Sequence, residues 1–140
     1  MIATVDITAQ RVEIMLHDSY ALKKGYQRGA VSSAELETAS DSVPVLRNMR
    51  KYAGDLAIGI RVAFGGDLFQ QPVLLDDAVV RKIEALIDYA PAYILAVITV
   101  IRFLRREFAE AQMMVFFETS FFSRLPAAEQ VYAVPQKYLG

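Results

Sequence analysis

The chain begins with an alternation of hydrophobic and polar residues that predicts paired β-strands. Residues 2–7 alternate imperfectly, whereas residues 11–17 place every second side chain on one apolar face. A period of two is typical of strands that bury a single face. The short connection between these segments favours a hairpin, and a weaker third strand is predicted within residues 20–31.

Helical spacing replaces this alternation after the third strand. Ser32 and Glu35 fit a capping box at the start of an apolar pattern that continues to Met49. In such a box each side chain bonds the backbone N–H of the other residue. Pro44 lies inside the pattern and should kink or split the helix near Val43, because proline has no N–H to donate to an interior helical bond.

Two further helices are predicted in the second half of the chain. Asp76 is placed to cap a helix over residues 77–88, whose apolar side chains form one stripe. Pro91 begins a longer helix that reaches about Phe108. This helix is apolar nearly all round between residues 93 and 104, which indicates burial on more than one side.

Two hydrophobic runs predict buried strands before and after these helices. Residues 56–62 run into a turn at Gly65 and Gly66, and residues 112–117 run into a polar break followed by aromatic residues. A strand, a helical crossover and a second strand of these lengths imply a parallel pair. We therefore predict an α/β fold with a mixed five-stranded sheet and helices on its faces, in which the first three strands are antiparallel.

Composition limits the possible classes of function. Hydrophobic residues make up 54% of the 140 residues, which suits a single domain over residues 1–140 with a core and a buried interface. The net charge of −1 argues against a nucleic-acid binder, which is usually basic. The absence of cysteine and the presence of one histidine, His17, exclude cysteine-ligated zinc, thiol catalysis and a multi-histidine metal site.

The sequence carries no signal for a membrane or for export. The longest apolar run, residues 89–101, is shorter than the roughly 20 residues that a membrane span needs. The first residues lack the basic region and the cleavage signal of an exported protein. We therefore expect a cytoplasmic protein that does not associate with a membrane.

Two motifs carry a resemblance to a known family. Residues 117–122 read Phe-Glu-Thr-Ser-Phe-Phe, residues 126–135 run from Pro to Val-Tyr-Ala-Val-Pro, and residues 59–66 read Gly-Ile-Arg-Val-Ala-Phe-Gly-Gly. They resemble the acetate kinase family (acetate, propionate and butyrate kinases). Its motifs are Phe-Asp-Thr-x-Phe-His, then Pro-x-x-Ala-Tyr-x-Tyr-x-Leu-Pro, and Gly-His-Arg-Val-x-His-Gly-Gly.

The resemblance implies one lobe of the ribonuclease-H-like, actin-like kinase architecture. It also marks departures from the family pattern, since Glu118 stands for the catalytic aspartate and Phe64 and Phe122 stand for histidines. The first turn, residues 6–11, lacks the glycine- and serine-rich run of the family. Family members also continue beyond the position of Gly140 into a larger second lobe.

Arg61 and Asp6 are candidate site residues with two interpretations each. The resemblance implies that Arg61 contacts carboxylate and phosphoryl groups, which suits a guanidinium because it is always charged and offers a planar fork of donors. The alternative is a strand-end arginine that pairs with a nearby carboxylate, since an unpaired charge on an apolar strand is costly. Asp6 would lie near a metal or phosphate, or it would face solvent at the end of its strand.

The remaining candidates are Glu118, Gly65 and Gly66. Glu118 would hold Mg²⁺ or act as the catalytic carboxylate, or it would form a salt bridge with Arg61 or Arg124. The two glycines would contribute to a substrate or phosphate site, or they would only make a turn, because no Lys-Ser or Lys-Thr pair follows them.

Two functions of different classes follow from these patterns. The first is a catalytically degenerate, single-lobe relative of acetate kinase that acts by binding, as a homodimer or with another protein partner. Phe64 and Phe122 favour it, because phenylalanine cannot stabilise a transferring phosphoryl group. The second is a residual kinase that transfers a phosphoryl group between ATP and a short-chain carboxylic acid. There Arg61 would clamp the anion, Glu118 would act as the metal or base residue, and a second lobe would be supplied in trans.

Cofactor and ligand follow from the choice between these functions. Mg-ATP is a cofactor only if the chain is a kinase, and no cofactor is assigned otherwise. A small carboxylate or phosphate is a possible ligand in either case.

Overall fold

The computed structural model describes residues 1–17, 27–122 and 125–126. A six-stranded sheet forms its centre, with the strand order β3-β2-β1-β4-β6-β5. The strands are β1 (Ile2–Ile7), β2 (Val12–His17), β3 (Gln27–Val31), β4 (Ala57–Val62), β5 (Val73–Leu74) and β6 (Gln112–Phe117). The part of the predicted third strand that precedes Gln27 lies outside the described residues.

The strand directions agree with the prediction, but the number of strands does not. β1, β2 and β3 are antiparallel, and β4 and β6 continue the sheet in parallel to β1. The predicted five strands are wrong, because β5 adds a sixth, antiparallel to β6. β5 pairs through Val73 and Leu74 alone, and two residues are too few for any alternation to be visible in the sequence.

The helices of the described part are α1 (Ser33–Ala39), α2 (Pro44–Arg50), α3 (Asp77–Glu84), α4 (Pro91–Glu107) and α5 (Glu118–Phe122). The predicted capping box is present, since the Glu35 N–H donates to the Ser32 hydroxyl and the Ser32 N–H donates to the Glu35 carboxylate. Pro44 opens α2 and so splits the first helical region as predicted. No described helix has the length and apolar character that crossing a membrane requires.

The second helical region differs from the prediction at its end. Asp76 caps α3, because the Val79 N–H donates to its carboxylate at 2.7 Å. The helix ends at Glu84 rather than at residue 88. The N–H groups of Leu86 and Ile87 bond carbonyls only three residues back, which is the tighter pattern of turns and helix ends.

The two faces of the sheet have opposite character. On one face the alternate side chains of β1, β2, β4 and β6 are buried in a single apolar cluster with residues of α1 to α4, including Leu36, Met49, Ile83 and Phe103. We call this the helix-covered face. The strand residues that point the other way are all half-buried or exposed, and we call that side the open face.

Candidate functional site

Asp6, Arg61 and Glu118 meet at one end of the parallel strands. Asp6 is the last residue but one of β1, Arg61 is the last but one of β4, and Glu118 follows β6 directly. The Arg61 guanidinium donates through Nη1 to Asp6 Oδ1 at 2.5 Å and through Nη2 to Glu118 Oε1. We call these three residues the Arg61 cluster.

The register of the sheet brings these side chains together. Asp6 stands beside Arg61 in the β1–β4 pair, and Arg61 stands beside Phe116 in the β4–β6 pair. Carboxyl ends of parallel strands lie at the same edge, and in open α/β sheets ligands bind outside that edge. The chain therefore places its candidate site residues where such folds carry their binding sites.

Electrostatics favour the ion-paired state of the Arg61 cluster. The pKa of Arg61 is raised by its hydrogen bonds to Glu118 and Asp6, which stabilise the charged guanidinium. Two carboxylates against one guanidinium leave the cluster with a formal charge of −1. Because the Arg61 and Glu118 side chains are 47% and 43% exposed, water screens the pairs and their net contribution to stability is about 0–1 kcal/mol.

Two side chains fix the loop that follows β4. The Tyr93 hydroxyl of α4 accepts a hydrogen bond from the Ala63 N–H at 2.6 Å, and the Thr119 hydroxyl of α5 accepts one from the Gly65 N–H at 3.0 Å. Burial raises the pKa of Tyr93 and keeps its hydroxyl neutral. These bonds tie the start of α4 and the start of α5 to the end of β4.

Tyr93 and Thr119 were not among the site residues predicted from the sequence. Tyr93 belongs to the apolar pattern of α4, and that pattern carries no information about its hydroxyl. The backbone partner of the hydroxyl lies 30 residues away along the chain. The one available hint was position, since Tyr93 follows Pro91 in the first turn of a helix that faces the site. Thr119 had a stronger hint, because threonine is retained in the family motif next to Glu118.

Gly65 and Gly66 are required by close packing and by backbone geometry. A Cβ on Gly65 would lie 2.7 Å from the ring of Phe117, and Gly66 has a φ of +54°. That φ lies in the left-handed region that favours glycine. The Gly65 N–H already donates to Thr119, so this donor is occupied within the chain.

Phe64 and Phe122, which replace family histidines, do not fill a common space. Phe64 is partly buried and its ring lies 6.0 Å from the ring of Tyr89. Phe122 is 56% exposed and packs edge-on against Phe121, which is 79% exposed. The structure therefore leaves the Arg61 cluster open to solvent and presents an aromatic pair beside it on α5.

The donor set of the cluster does not suit Mg²⁺ as it stands. Magnesium prefers carboxylate oxygens in near-octahedral geometry. Asp6 and Glu118 supply carboxylates, but a guanidinium lies between them and binds an oxygen of each. A second cation there would be repelled by Arg61, and among the described residues no group of three or more metal-binding side chains is present.

The strand order, an antiparallel meander extended by two parallel strands, defines a ribonuclease-H-like α/β lobe. The chain belongs to the acetokinase family, whose model matches residues 13–140. The acetate kinase of Lactiplantibacillus plantarum is 30% identical over 122 residues, which cover 85% of this chain and 31% of that protein. The acetate kinase of Chromobacterium violaceum is 41% identical over 81 residues, which cover 58% of this chain and 20% of that protein.

Solved structures give the same fold. A propionate kinase from Francisella tularensis superposes with a TM-score of 0.70 at 23% identity, over 97% of this chain and 41% of that one. The acetate kinase from Entamoeba histolytica gives 0.68 at 17% identity, over 98% of this chain and 39% of that one. The chain thus spans less than a third of the length of these curated relatives and about two fifths of these solved chains.

Proposed function

We propose that this chain is a catalytically degenerate member of the acetokinase family that acts in the cytoplasm by binding, through a second copy of itself or another protein. The observation that carries the proposal is the pairing of Arg61 with both Asp6 and Glu118. Two of the five N–H donors of the guanidinium, one on each terminal nitrogen, are engaged in these pairs, so an incoming carboxylate or phosphate meets an arginine whose charge is already paired.

Charge supports the same conclusion. An anion that approaches the Arg61 cluster meets a formal charge of −1 and competes with two carboxylates for the guanidinium. Phe64 and Phe122 supply neither a charge nor a hydrogen bond to offset that competition. Phosphoryl transfer depends almost entirely on positioning and electrostatic stabilisation, so a site with these properties is poorly suited to it.

The test is a thermal-melt comparison that frees Arg61. We expect the unaltered chain to show no shift in Tm with phosphate, acetyl phosphate, acetate, propionate, butyrate, Mg-ADP or Mg-ATP. The double variant Asp6→Asn, Glu118→Gln removes both charges at nearly constant shape and should gain a phosphate-dependent shift. A ligand at about a hundred times its Kd stabilises by roughly 2.7 kcal/mol, which is several degrees for a domain of this size.

Glu84→Gln is the matched control, because it frees the exposed Arg102 from its partner outside the cluster. It should gain no phosphate-dependent shift. A Tm shift in the unaltered chain that Arg61→Ala abolishes, or transfer from acetyl phosphate to Mg-ADP, would contradict the proposal. Either result would favour the residual carboxylate kinase, with Arg61 as its anion clamp.

A further inference from the structure

Among the helices of the described part of the chain, α5 is the one without a buried side chain. Each of α1 to α4 buries at least one apolar residue in the core, whereas the two largest side chains of α5, Phe121 and Phe122, are exposed. A helix shorter than roughly 12 residues is marginal in water by its own backbone bonds alone. The position of α5 therefore depends on bonds that its polar side chains make to other elements.

Two such bonds join the first residues of α5 to the end of β4 and to the loop after it. Arg61 Nη2 donates to the Glu118 carboxylate, and the Gly65 N–H donates to the Thr119 hydroxyl at 3.0 Å. We call this pair of bonds the α5 latch. Because Glu118 and Thr119 are consecutive residues, one rotation of the backbone beyond Phe117 would break both bonds.

The core holds the groups to which the latch attaches. Arg61 lies in β4, between β1 and β6 of the sheet. The Gly65 backbone lies against the buried ring of Phe117, 2.7 Å from the position that a Cβ would take. The Ala63 N–H is held by the Tyr93 hydroxyl at 2.6 Å. The part of this contact that is free to move is therefore α5, not the loop.

We propose that α5 is a lid that opens and closes as a unit over Arg61 and Gly65. In the closed state the latch occupies Arg61 Nη2 and the Gly65 N–H at once. Opening frees both donors together and leaves the helix-covered face intact, so access to Arg61 from the α5 side depends on the lid. This inference rests on the proposed function, because it identifies the segment that keeps Arg61 paired with Glu118.

The latch is weak compared with the fold as a whole. An exposed ion pair and one hydrogen bond together favour the closed state by a factor of roughly 3 to 70. Global unfolding of a domain is disfavoured by a factor of about a thousand or more. Local opening of α5 should therefore be much more frequent than global unfolding, and amide hydrogen exchange at Gly65 should report it.

The first experiment is residue-resolved amide hydrogen exchange of the full chain at increasing low concentrations of urea. After correction for intrinsic rates, Gly65 should exchange faster than Phe103 in the buried part of α4. Urea should accelerate exchange at Phe103 but not at Gly65, because opening of α5 exposes little surface. Exchange at Gly65 that rises with urea in parallel with Phe103 would mean that both open only by global unfolding, and would overturn the lid.

Glu118→Gln and Asp6→Asn form a matched pair of variants. Each removes one carboxylate charge from the same guanidinium at nearly constant shape, but only Glu118 belongs to α5. Glu118→Gln should accelerate exchange at Gly65 by roughly twofold to fivefold, although Glu118 does not bond Gly65. Asp6→Asn should not accelerate it. Equal acceleration by the two variants, or none by Glu118→Gln, would contradict opening of α5 as a unit.

Thr119→Val tests the second bond of the latch. It removes the hydroxyl acceptor at nearly constant shape and should accelerate exchange at Gly65 by roughly twofold to tenfold. Exchange at Ala63 should stay unchanged in this variant and in Glu118→Gln, because Tyr93 of α4 holds that N–H. A change at Ala63 equal to that at Gly65 would show that the loop moves rather than α5.

The outcomes of the two proposals are separable. Exchange at Gly65 tests whether α5 opens, whereas the phosphate-dependent Tm shifts test whether Arg61 is available to an anion. Unchanged exchange in Glu118→Gln would overturn the lid and leave the pairing of Arg61 as it is. Measurable phosphoryl transfer would contradict the proposed function whatever the exchange rate at Gly65.

Discussion

The helix-covered face and the open face belong to the same strands but differ in burial and in polarity. On the helix-covered face β1, β2, β4 and β6 present only apolar side chains, such as Ile60 and Val115, to the helices. The next residues along the same strands, Arg61 and Phe116, point to the open face. The Arg61 side chain is 47% exposed, and Phe116 is 43% exposed. Along one strand, a core residue and a candidate binding residue are immediate neighbours.

The difference shows where stability and function lie in this chain. Burial on the helix-covered face removes apolar area from water, which contributes about 25 cal/mol per Å². The open face gains little from its screened ion pairs, yet it holds the Arg61 cluster, the ion pairs of Glu13 and the exposed residues of β6. Substitutions on the two faces test this division, from the largest expected effect to the smallest.

Truncation of a phenylalanine should show the largest difference in stability between the two faces. Phe103 of α4 is fully buried, so Phe103→Ala should lower the free energy of unfolding by about 3–5 kcal/mol. Phe116→Ala should cost about 1 kcal/mol or less, since its ring is partly in water. Urea unfolding at low protein concentration, where self-association is minimal, measures both values. Equal losses would show that the open face is part of the core.

A methyl group added at Gly65 should have the next largest effect on the free energy of unfolding. Its Cβ would lie 2.7 Å from the ring of Phe117, which stacks on Phe69 with 4.0 Å between ring centroids and has little room to move. We expect Gly65→Ala to cost about 1–3 kcal/mol by overpacking. Gly54→Ala is the matched control, because no atom beyond its own chain neighbours lies within 4 Å of the position of its Cβ. A loss at Gly54 equal to that at Gly65 would refute the packing explanation.

Removal of the Tyr93 hydroxyl tests the link between the site and the core. Tyr93→Phe leaves the partly buried Ala63 N–H without its acceptor and should cost about 1 kcal/mol. Amide hydrogen exchange should show faster exchange at Ala63 in this variant. Tyr52→Phe, at a side chain that is 42% exposed, provides the comparison and should change neither quantity. Unaltered exchange at Ala63 would count against the observed bond.

The smallest effect concerns the rim of the helix-covered face. Glu107 of α4 accepts a hydrogen bond from Arg50 of α2, and chiefly this bond lowers its pKa below the ordinary value of 4.5. A lowered pKa means that folding favours the charged carboxylate. The contribution of Glu107 to the free energy of unfolding is therefore fully present above the unfolded pKa, and it is lost as pH falls through the folded pKa. Glu107→Gln should therefore be less stable than the unaltered chain at pH 7, and the gap should narrow in acid.

Unfolding by urea at neutral and acidic pH measures that gap. Glu110→Gln, at an exposed residue near the same end of α4, serves as the control and should show a smaller gap. A gap for Glu107→Gln that stays constant over the titration would mean that the carboxylate charge plays no part in holding α2 to α4.

Local patterns in the sequence predicted most of the secondary structure. The capping box at Ser32, the cap at Asp76 and the helix start at Pro91 each depend on bonds within a few residues, so spacing alone identifies them. The parallel addition of β4 and β6 followed from the strand–helix–strand order. Arg61 and Glu118 also lie together in space, and the salt bridge with Arg61 that was one alternative for Glu118 is present in the structure.

Contacts between distant residues could not be predicted in the same way. The partners of Arg61 lie 55 and 57 residues away along the chain, so their selection depends on strand register rather than on any local pattern. The hydroxyl of Tyr93 and the two-residue strand β5 were missed for the same reason. Each is defined by a partner that only the folded chain brings near.

The sequence by itself determined where most of the strands and helices form, where most of the helices begin, and to which family the motifs point. It could do so because hydrophobic period, caps and turn residues act over a few neighbouring positions. Only the tertiary structure decided that the helices cover one face of the sheet, that two carboxylates hold Arg61, and that Phe116 and Met114 remain exposed. Those features arise from the packing of segments far apart in the chain, which no local pattern encodes.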